Sequence, residues 1–306
     1  MAKQFILGAG LIGAELTRQL LASGDEVTVG TRRGTVLPGA AATALDASDA
    51  DAVRTAAIGA ETIFVCTNPP YPNWAEEWPP IGESVMVAAR ETGARLVLMG
   101  NLYAHGIPDG PMTASTPFRP ADRKGQIRAE LSDAIFAAHR RGEVQATEIR
   151  ASDYFGPGAG GGTAHLGTEF FAPLLAGKTA WVVGNPRLRH SWAFLPDIAA
   201  TLVAAARTES AFGRAWITPH STDLDRKSIA GLLARRTGTT GRVVGIPSWA
   251  LRGIGAFSAQ LREVAASSYQ FTHEFIADSS ETEELLGLRA TPLDAALEVT
   301  LASLKQ

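Results

Sequence analysis

Cysteine is almost absent. A single residue, Cys66, among 306 excludes an internal disulfide and with it the stapled architecture of small secreted domains. Its setting, "TIFVCTN", marks a buried strand thiol rather than a nucleophile. An excess of charge of one sign is lacking too: a net charge of −3 supplies no broad field to gather nucleic acid or an anionic membrane surface. No run reaches the roughly 18 apolar residues of a membrane span, and no apolar leader with a cleavage site precedes "KQFILGAG". The expectation is a cytoplasmic protein with a small-molecule substrate, and no nucleic-acid, membrane or metal partner.

What is present fits an ordinary globular chain. Hydrophobic residues make up 45% and charged residues 19% of the sequence, which leaves no room for a disordered or fibrous class. Through the first half, the apolar runs "FIL", "EVTV", "TIFV", "RLVLM" and "VQATEIR" alternate with longer amphipathic stretches. That rhythm predicts an α/β fold: a Rossmann-type, doubly wound parallel sheet with crossover helices. Further strands are predicted near "AWVVG", "RAWIT" and "RVVGI", with helices near 197–207 and 224–236. The expected division is a dinucleotide-binding domain over 1–157, to which a strand and helix around 180–207 return, and a smaller α/β substrate lobe over 158–306. The Pro-rich "NPPYPNWAEEWPP" and the Gly-rich "GPGAGGG" read as loops at the carboxyl edge of the sheet, where open α/β folds bind ligands.

"QFILGAGLIGAEL" places Gly8, Gly10 and Gly13 after a predicted strand and at the mouth of a predicted helix. The G-x-G-x-x-G spacing permits a tight turn, close backbone approach to a pyrophosphate, and close packing of helix on strand. Free N–H groups and the helix dipole then meet the phosphate charge. The second strand ends in "EVTVGTRRG", with Thr31, Arg32 and Arg33 where an acidic residue would suit the ribose of NAD. Guanidinium groups match a 2′-phosphate, so NADP(H) is the expected cofactor. Asp46, ending the third strand, is placed either to contact the adenine or to cap the helix that follows.

Four stretches, "GAGLIG", "LVLMGNLYAHG", "EIRASDYFGPG" and "HSWAFLPDIAATLVAA", make the chain resemble the extended short-chain dehydrogenase/reductases, the NAD-dependent epimerase/dehydratase family. That family's chemistry uses a serine or threonine after the fifth strand and a Tyr-x-x-x-Lys pair on the next helix. The resemblance puts Asn101 at the serine or threonine, Lys124 at the tyrosine and Arg128 at the lysine, as in atypical members that lack the standard pair. Lys124, if partly desolvated, could exchange a proton; Tyr103 could supply a phenol instead, and Arg128 could hold the nicotinamide ribose. Leu11 and Ile12 in the glycine turn, Thr67 and Asn68 after the fourth strand, and Tyr154 and Phe155 after the sixth complete the cofactor set that the resemblance implies.

At the substrate end, the arginine with which such enzymes hold a pyrophosphate is matched by His190, with Arg187 and Arg189 just before it, so a nucleotide-sugar substrate is weakened. Tyr71, Trp74 and Trp78 in the Pro-rich loop suit an apolar carbonyl or fasten the loop. His105 is a further substrate candidate. The segment "SWALRGIGAFSAQLREVAASSYQF" reads as one or two helices that could line the pocket or pack against a second subunit in a homodimer. These features favour an NADP(H)-dependent oxidoreductase acting on a small carbonyl or hydroxyl compound with a non-standard proton donor. The alternatives are a non-catalytic NADP(H)-binding regulatory protein and a nucleotide-sugar epimerase or dehydratase.

Overall fold

The computed structural model describes residues 1–162, 164–255 and 258–304. The first half alternates as its apolar rhythm predicts: β1 (Lys3–Leu7), α1 (Leu11–Ala22), β2 (Glu26–Thr31), β3 (Ala41–Ala44), α2 (Ala50–Ala56), β4 (Thr62–Val65), α3 (Trp74–Thr92), β5 (Arg95–Asn101), α4 (Arg123–Arg140) and β6 (Ala146–Ala151). Then follow β7 (Tyr154–Phe155), α5 (Thr168–Leu175), β8 (Thr179–Val183), β9 (Ala193–Phe194), α6 (Leu195–Arg207) and β10 (Ala215–Ile217). The chain continues through α7 (Arg226–Thr237), β11 (Arg242–Ile246), α8 (Ser248–Gly255), α9 (Ala259–Ala266), α10 (Ser280–Leu285) and α11 (Leu293–Ser303).

Seven strands form one parallel sheet in the order β10-β6-β5-β4-β1-β2-β3. Side-chain alternation decides which layer each residue joins. Phe5 and Leu7, Ile63 and Val65, and Leu96 and Leu98 face a layer made by α2, α3 and α4. Ile6, Phe64 and Val97 face the opposite layer, made by α1 and α6. With both faces covered, β4 and β6 are buried at every position, as central parallel strands are. The strand order reverses between β1 and β4, and that switch point opens a crevice at the carboxyl edge.

The second half divides its elements. α6 packs on the sheet beside α1, and β10 joins the sheet's edge next to β6. β8 instead pairs with β11 in a separate two-stranded sheet, whose core is built from Phe170, Phe171, Ile229, Leu233 and Phe271. This makes the smaller C-terminal α/β region.

The Pro-rich stretch is largely helix rather than loop. α3 already begins at Trp74 and runs through Pro79 and Pro80. Two consecutive prolines remove backbone donors and disfavour a helix interior, but Trp74 and Trp78 lie on the buried face of this turn, packed edge to face with centroids 6.0 Å apart. The Trp74 indole also donates to the Pro69 carbonyl at 2.9 Å. Burial of two tryptophans outweighs the local breaker signal.

Candidate active site

The glycine turn lies where its spacing requires. A Cβ on Gly13 would stand 2.1 Å from the Gly8 carbonyl oxygen, and one on Gly8, whose φ is +112°, 2.6 Å from the Thr67 nitrogen. Only glycine lets β1, α1 and the end of β4 approach this closely. Gly10 differs: a Cβ there would meet nothing within 4 Å. It begins α1 with no side-chain cap, so no capping side chain satisfies the first N–H groups of the helix. Leu11 touches the loop after β7, since a Cβ on Gly158 would fall 3.1 Å from its Cδ2. Ile12 packs under the turn against the sheet, as Cys66 does, with burial pushing its thiol up to about 12.

The basic turn after β2 is not a free guanidinium cluster. Arg32 stands 3.7 Å from the carboxylate of Glu77 on α3, Arg33 is exposed, and the Thr31 hydroxyl accepts from the Thr35 backbone N–H at 2.8 Å. Asp46 accepts from the Ser48 N–H and hydroxyl at 2.9 and 2.7 Å. The cap of α2 is Asp49, which accepts from Ala52 N–H at 3.0 Å.

Lys124 and Arg128 are not a solvated face. Both are buried, at 1% and 5% exposure. Asp122 caps α4 by accepting from Gly125 N–H at 2.8 Å, and its other oxygen accepts from Ser267 Oγ at 2.9 Å and stands 3.3 Å from Lys124 Nζ. Lys124 Nζ also donates to the Glu263 carboxylate and to its backbone carbonyl, each at 2.8 Å. Helix α9 is thereby pinned across the start of α4, and the ammonium is held by two carboxylates. Arg128 lies over the rings of Trp78 and Trp74, 4.1 and 4.7 Å from their centroids, and donates to the Met99 carbonyl at 3.3 Å and Asn68 Oδ1 at 3.4 Å. Its buried Nε has no partner among the described residues. Burial lowers its pKa to about 10, so it stays a cation at neutral pH.

Tyr103 and Tyr71 meet phenol to phenol at 3.0 Å. Burial raises both pKa values, Tyr103's well above the ordinary phenol range, so both hold their protons at neutral pH. Asn101 Oδ1 accepts from Tyr103 N–H at 3.1 Å, fixing the loop that carries this phenol. Trp74 stacks on Tyr103 with centroids 6.2 Å apart, and Lys124 Nζ lies 5.2 Å from the centre of the Tyr71 ring. The structure therefore gathers Asn68, Tyr71, Trp74, Asn101, Tyr103, Lys124 and Arg128 at one edge of the sheet.

Other predicted residues serve the frame. His105 is buried beside Phe118, with ring centroids 5.4 Å apart, and Arg150 Nη1 lies 3.4 Å from its Nε2. Arg150 in turn is held by Glu148 and Ser132. Burial, then the Arg150 charge, lowers the His105 pKa to about 4. Tyr154 and Phe155 form β7, and Phe155 is buried in the C-terminal core. His190 is buried, 2.8 Å from the Asp153 carboxylate, whereas Arg187 and Arg189 beside it are exposed. Glu77, Glu263 and Asp153 carried no motif, because each acquires its partner only through the fold.

The sequence model of the NAD dependent epimerase/dehydratase family matches residues 5–216. The chain belongs to this family. No curated protein sequence matches it. Among solved structures, UDP-glucose 4-epimerase of Thermotoga maritima with UDP-glucose superposes with a TM-score of 0.84 at 14% identity, covering 99% of this chain and 98% of that one. MoeE5 in complex with UDP-glucuronic acid and NAD gives 0.79 at 18% identity, with 99% of both chains covered. The dTDP-glucose 4,6-dehydratase DesIV of Streptomyces venezuelae, with NAD bound, gives 0.76 at 19% identity, covering 99% of this chain and 97% of that one.

These findings correct the cofactor expectation and, with it, the NADP(H)-dependent oxidoreductase reading. The family is described by NAD, and MoeE5 and DesIV carry NAD. The physical reason lies at the β2 turn. A 2′-phosphate brought to Arg32 would also meet Glu77, a like charge that β2 alone does not reveal. Among the described residues, no helix is long and apolar enough to cross a membrane, and no three metal-ligating side chains cluster.

Two outcomes follow for this site. Lys124→Met should lower the unfolding free energy by about 3 kcal/mol, because it leaves Asp122 and Glu263 without their shared cation, while Arg123→Ala on the exposed side of the same turn stays within about 0.5 kcal/mol; urea titration of both variants distinguishes a locked cation from an ornamental one. The His105 pKa is lower in the folded chain than its ordinary 6.5, so the unfolded state takes up the proton first as pH falls. Stability present above pH 6.5 should then decline towards pH 4 by about 3 kcal/mol. His105→Gln should remove that part of the slope, and an unchanged slope would rule out a buried neutral imidazole.

Proposed function

We propose that the chain is an NAD(H)-dependent enzyme of the epimerase/dehydratase type that acts on a hydroxyl of a nucleotide sugar. The observation that carries this reading is the open N-terminus of α1 at Gly10, on the same sheet edge as the Tyr71–Tyr103 phenol pair. The residues fit the cofactor: Gly8 and Gly13 close the turn, the uncapped amides after Gly10 would hold the diphosphate, and Asn68 and Arg128 would hold the nicotinamide end. When bound, NAD would supply a hydride acceptor and donor.

The chain's own groups handle the rest. Lys124, engaged by Glu263 and Asp122, acts as a positioning cation: it fixes α9 over the site and lies against the Tyr71 ring. The proton is assigned to the phenol pair, Tyr71 and Tyr103, hydrogen-bonded to each other: protonated in the free chain, the pair would accept the hydroxyl proton as a phenolate, which the Arg128 charge and the positive nicotinamide of bound NAD would favour. The Asn101 amide N–H₂ could hold the reacting oxygen. Water is restricted by Trp74, Trp78 and α9 packed around this corner.

Incubating the NAD-loaded protein with a panel of uridine and thymidine diphosphate sugars, and following them by chromatography and NMR, tests the reading. It predicts an epimerised or dehydrated product without net NAD consumption, with kcat reduced about 100-fold or more in Tyr71→Phe and Tyr103→Phe. Tight NAD binding with no conversion of any member would overturn it in favour of a regulatory cofactor-binding protein.

A further inference from the structure

The helices beside the phenol pair are attached to the molecule differently from all others. α8 and α9 pack on each other, and α9 packs on the turn Tyr71–Asn73 that carries one of the phenols. Among the described residues, no side chain of either helix belongs to any of the apolar clusters that form the core. Of α9 only Ala265 is buried, and Trp249 on α8 is 73% exposed. A helix of a globular protein normally joins the body through an apolar stripe. α9 joins it through polar contacts instead. Lys124 Nζ donates to the Glu263 carboxylate and to the Glu263 carbonyl, each at 2.8 Å, and just past the helix Ser267 Oγ donates to Asp122 at 2.9 Å.

A segment with few buried apolar contacts opens at a lower free energy than the core. The ion pair is placed for such an opening. Lys124 is sealed at 1% exposure, whereas Glu263 retains 28%, so water reaches the α9 partner without entering the core. With α9 swung away, the ammonium still has Asp122, 3.3 Å from Nζ, and no buried charge is stranded. A cation that shares two carboxylates can release one of them. The body left behind keeps its own contacts: Asp122 still caps α4 at Gly125, and both layers on the main sheet are complete without α9. In the closed arrangement Lys124 Nζ lies 5.2 Å from the centre of the Tyr71 ring, Tyr71 meets Tyr103 phenol to phenol, and both tyrosines are only partly exposed.

We propose that α8 and α9 form a lid over the Tyr71–Tyr103 pair, latched by the Lys124–Glu263 ion pair, and that this lid opens as a unit while the rest of the chain stays folded. Closed, it keeps water from the phenols; open, it gives access to them. Lys124 is the fixed half of the latch and Glu263 the half that leaves. What the covered phenols do rests on the epimerase/dehydratase reading, whereas the lid does not, and it is tested without substrate.

Hydrogen exchange and hydroxyl-radical footprinting of the full-length protein, both read by mass spectrometry, test it. In the wild type the amides of α8 and α9 should exchange about 100-fold or more faster than those of β5, which open only with the whole molecule. Glu263→Ala should speed the exchange of α9 a further tenfold or so and raise the labelling of the Tyr71 and Tyr103 rings in step, with β5 unchanged. Arg262→Ala, exposed on the same helix, should change neither. Exchange of α9 only together with β5, or a rate that Glu263→Ala leaves unchanged, would show that no separately opening lid is latched by this pair. Faster exchange without added labelling of the two rings would show that the helix does not cover them. Each of these results overturns the proposal. Because no ligand is present, a failure here leaves the nucleotide-sugar reading to its own experiment, and a failure of that reading leaves the lid standing.

Discussion

The structure depends first on how closely α1 approaches the turn after β1. With hydrogen in place of a side chain at Gly13, the helix backbone sits against the Gly8 carbonyl, and Gly8 itself lies against the start of the loop after β4. One methyl group at either position would separate helix from sheet. That contact sets the N-terminus of α1 at the switch-point edge of the sheet, while at Gly10 a Cβ would meet nothing within 4 Å. The packing of helix on sheet and the proposed diphosphate site thus depend on the same three residues.

A second constraint is the burial of cations that the family position would give to a tyrosine and a lysine. Burying a charge is tolerated only with compensation, and the two residues find different kinds. Lys124 takes two carboxylates from α9 and the cap of α4. Arg128 takes two indole faces and two oxygen acceptors, consistent with the weaker hydration of a guanidinium. The consequence is a division of labour. The cations organise the corner beside the Tyr71–Tyr103 phenol pair, to which the proton transfer is assigned in the proposed function.

Much of this was legible in the sequence, for local reasons. The short apolar runs marked six of the seven strands of the main sheet, all but β3, which is largely exposed, and the glycine spacing located the tight turn between β1 and α1, because both signals arise within a dozen residues. Lys124 and Arg128 stood out because the family resemblance put them at the positions of its tyrosine and lysine. The rest arises from contacts between distant segments. Glu263 reaches Lys124 across 139 residues, and Glu77 comes to the β2 turn on a helix that the prolines at 79 and 80 argue against. With Glu77 unseen, Arg32 and Arg33 read as a phosphate site, which led to the wrong cofactor. Asp153 and His190 come together from opposite sides of the β7–β9 pairing, and no spacing encodes it.

The central claim is that the glycine turn holds the diphosphate of NAD at the start of α1. Calorimetry of NAD against wild type and Gly10→Glu tests it most directly, because the free protein has room for a Cβ at this position and the variant should keep its melting temperature to within a few degrees. Saturable binding by the wild type and loss of at least 100-fold in affinity in the variant, where a carboxylate occupies the phosphate's place, is the result the structure predicts. No heat with wild-type protein, or equal affinity for both, would contradict it.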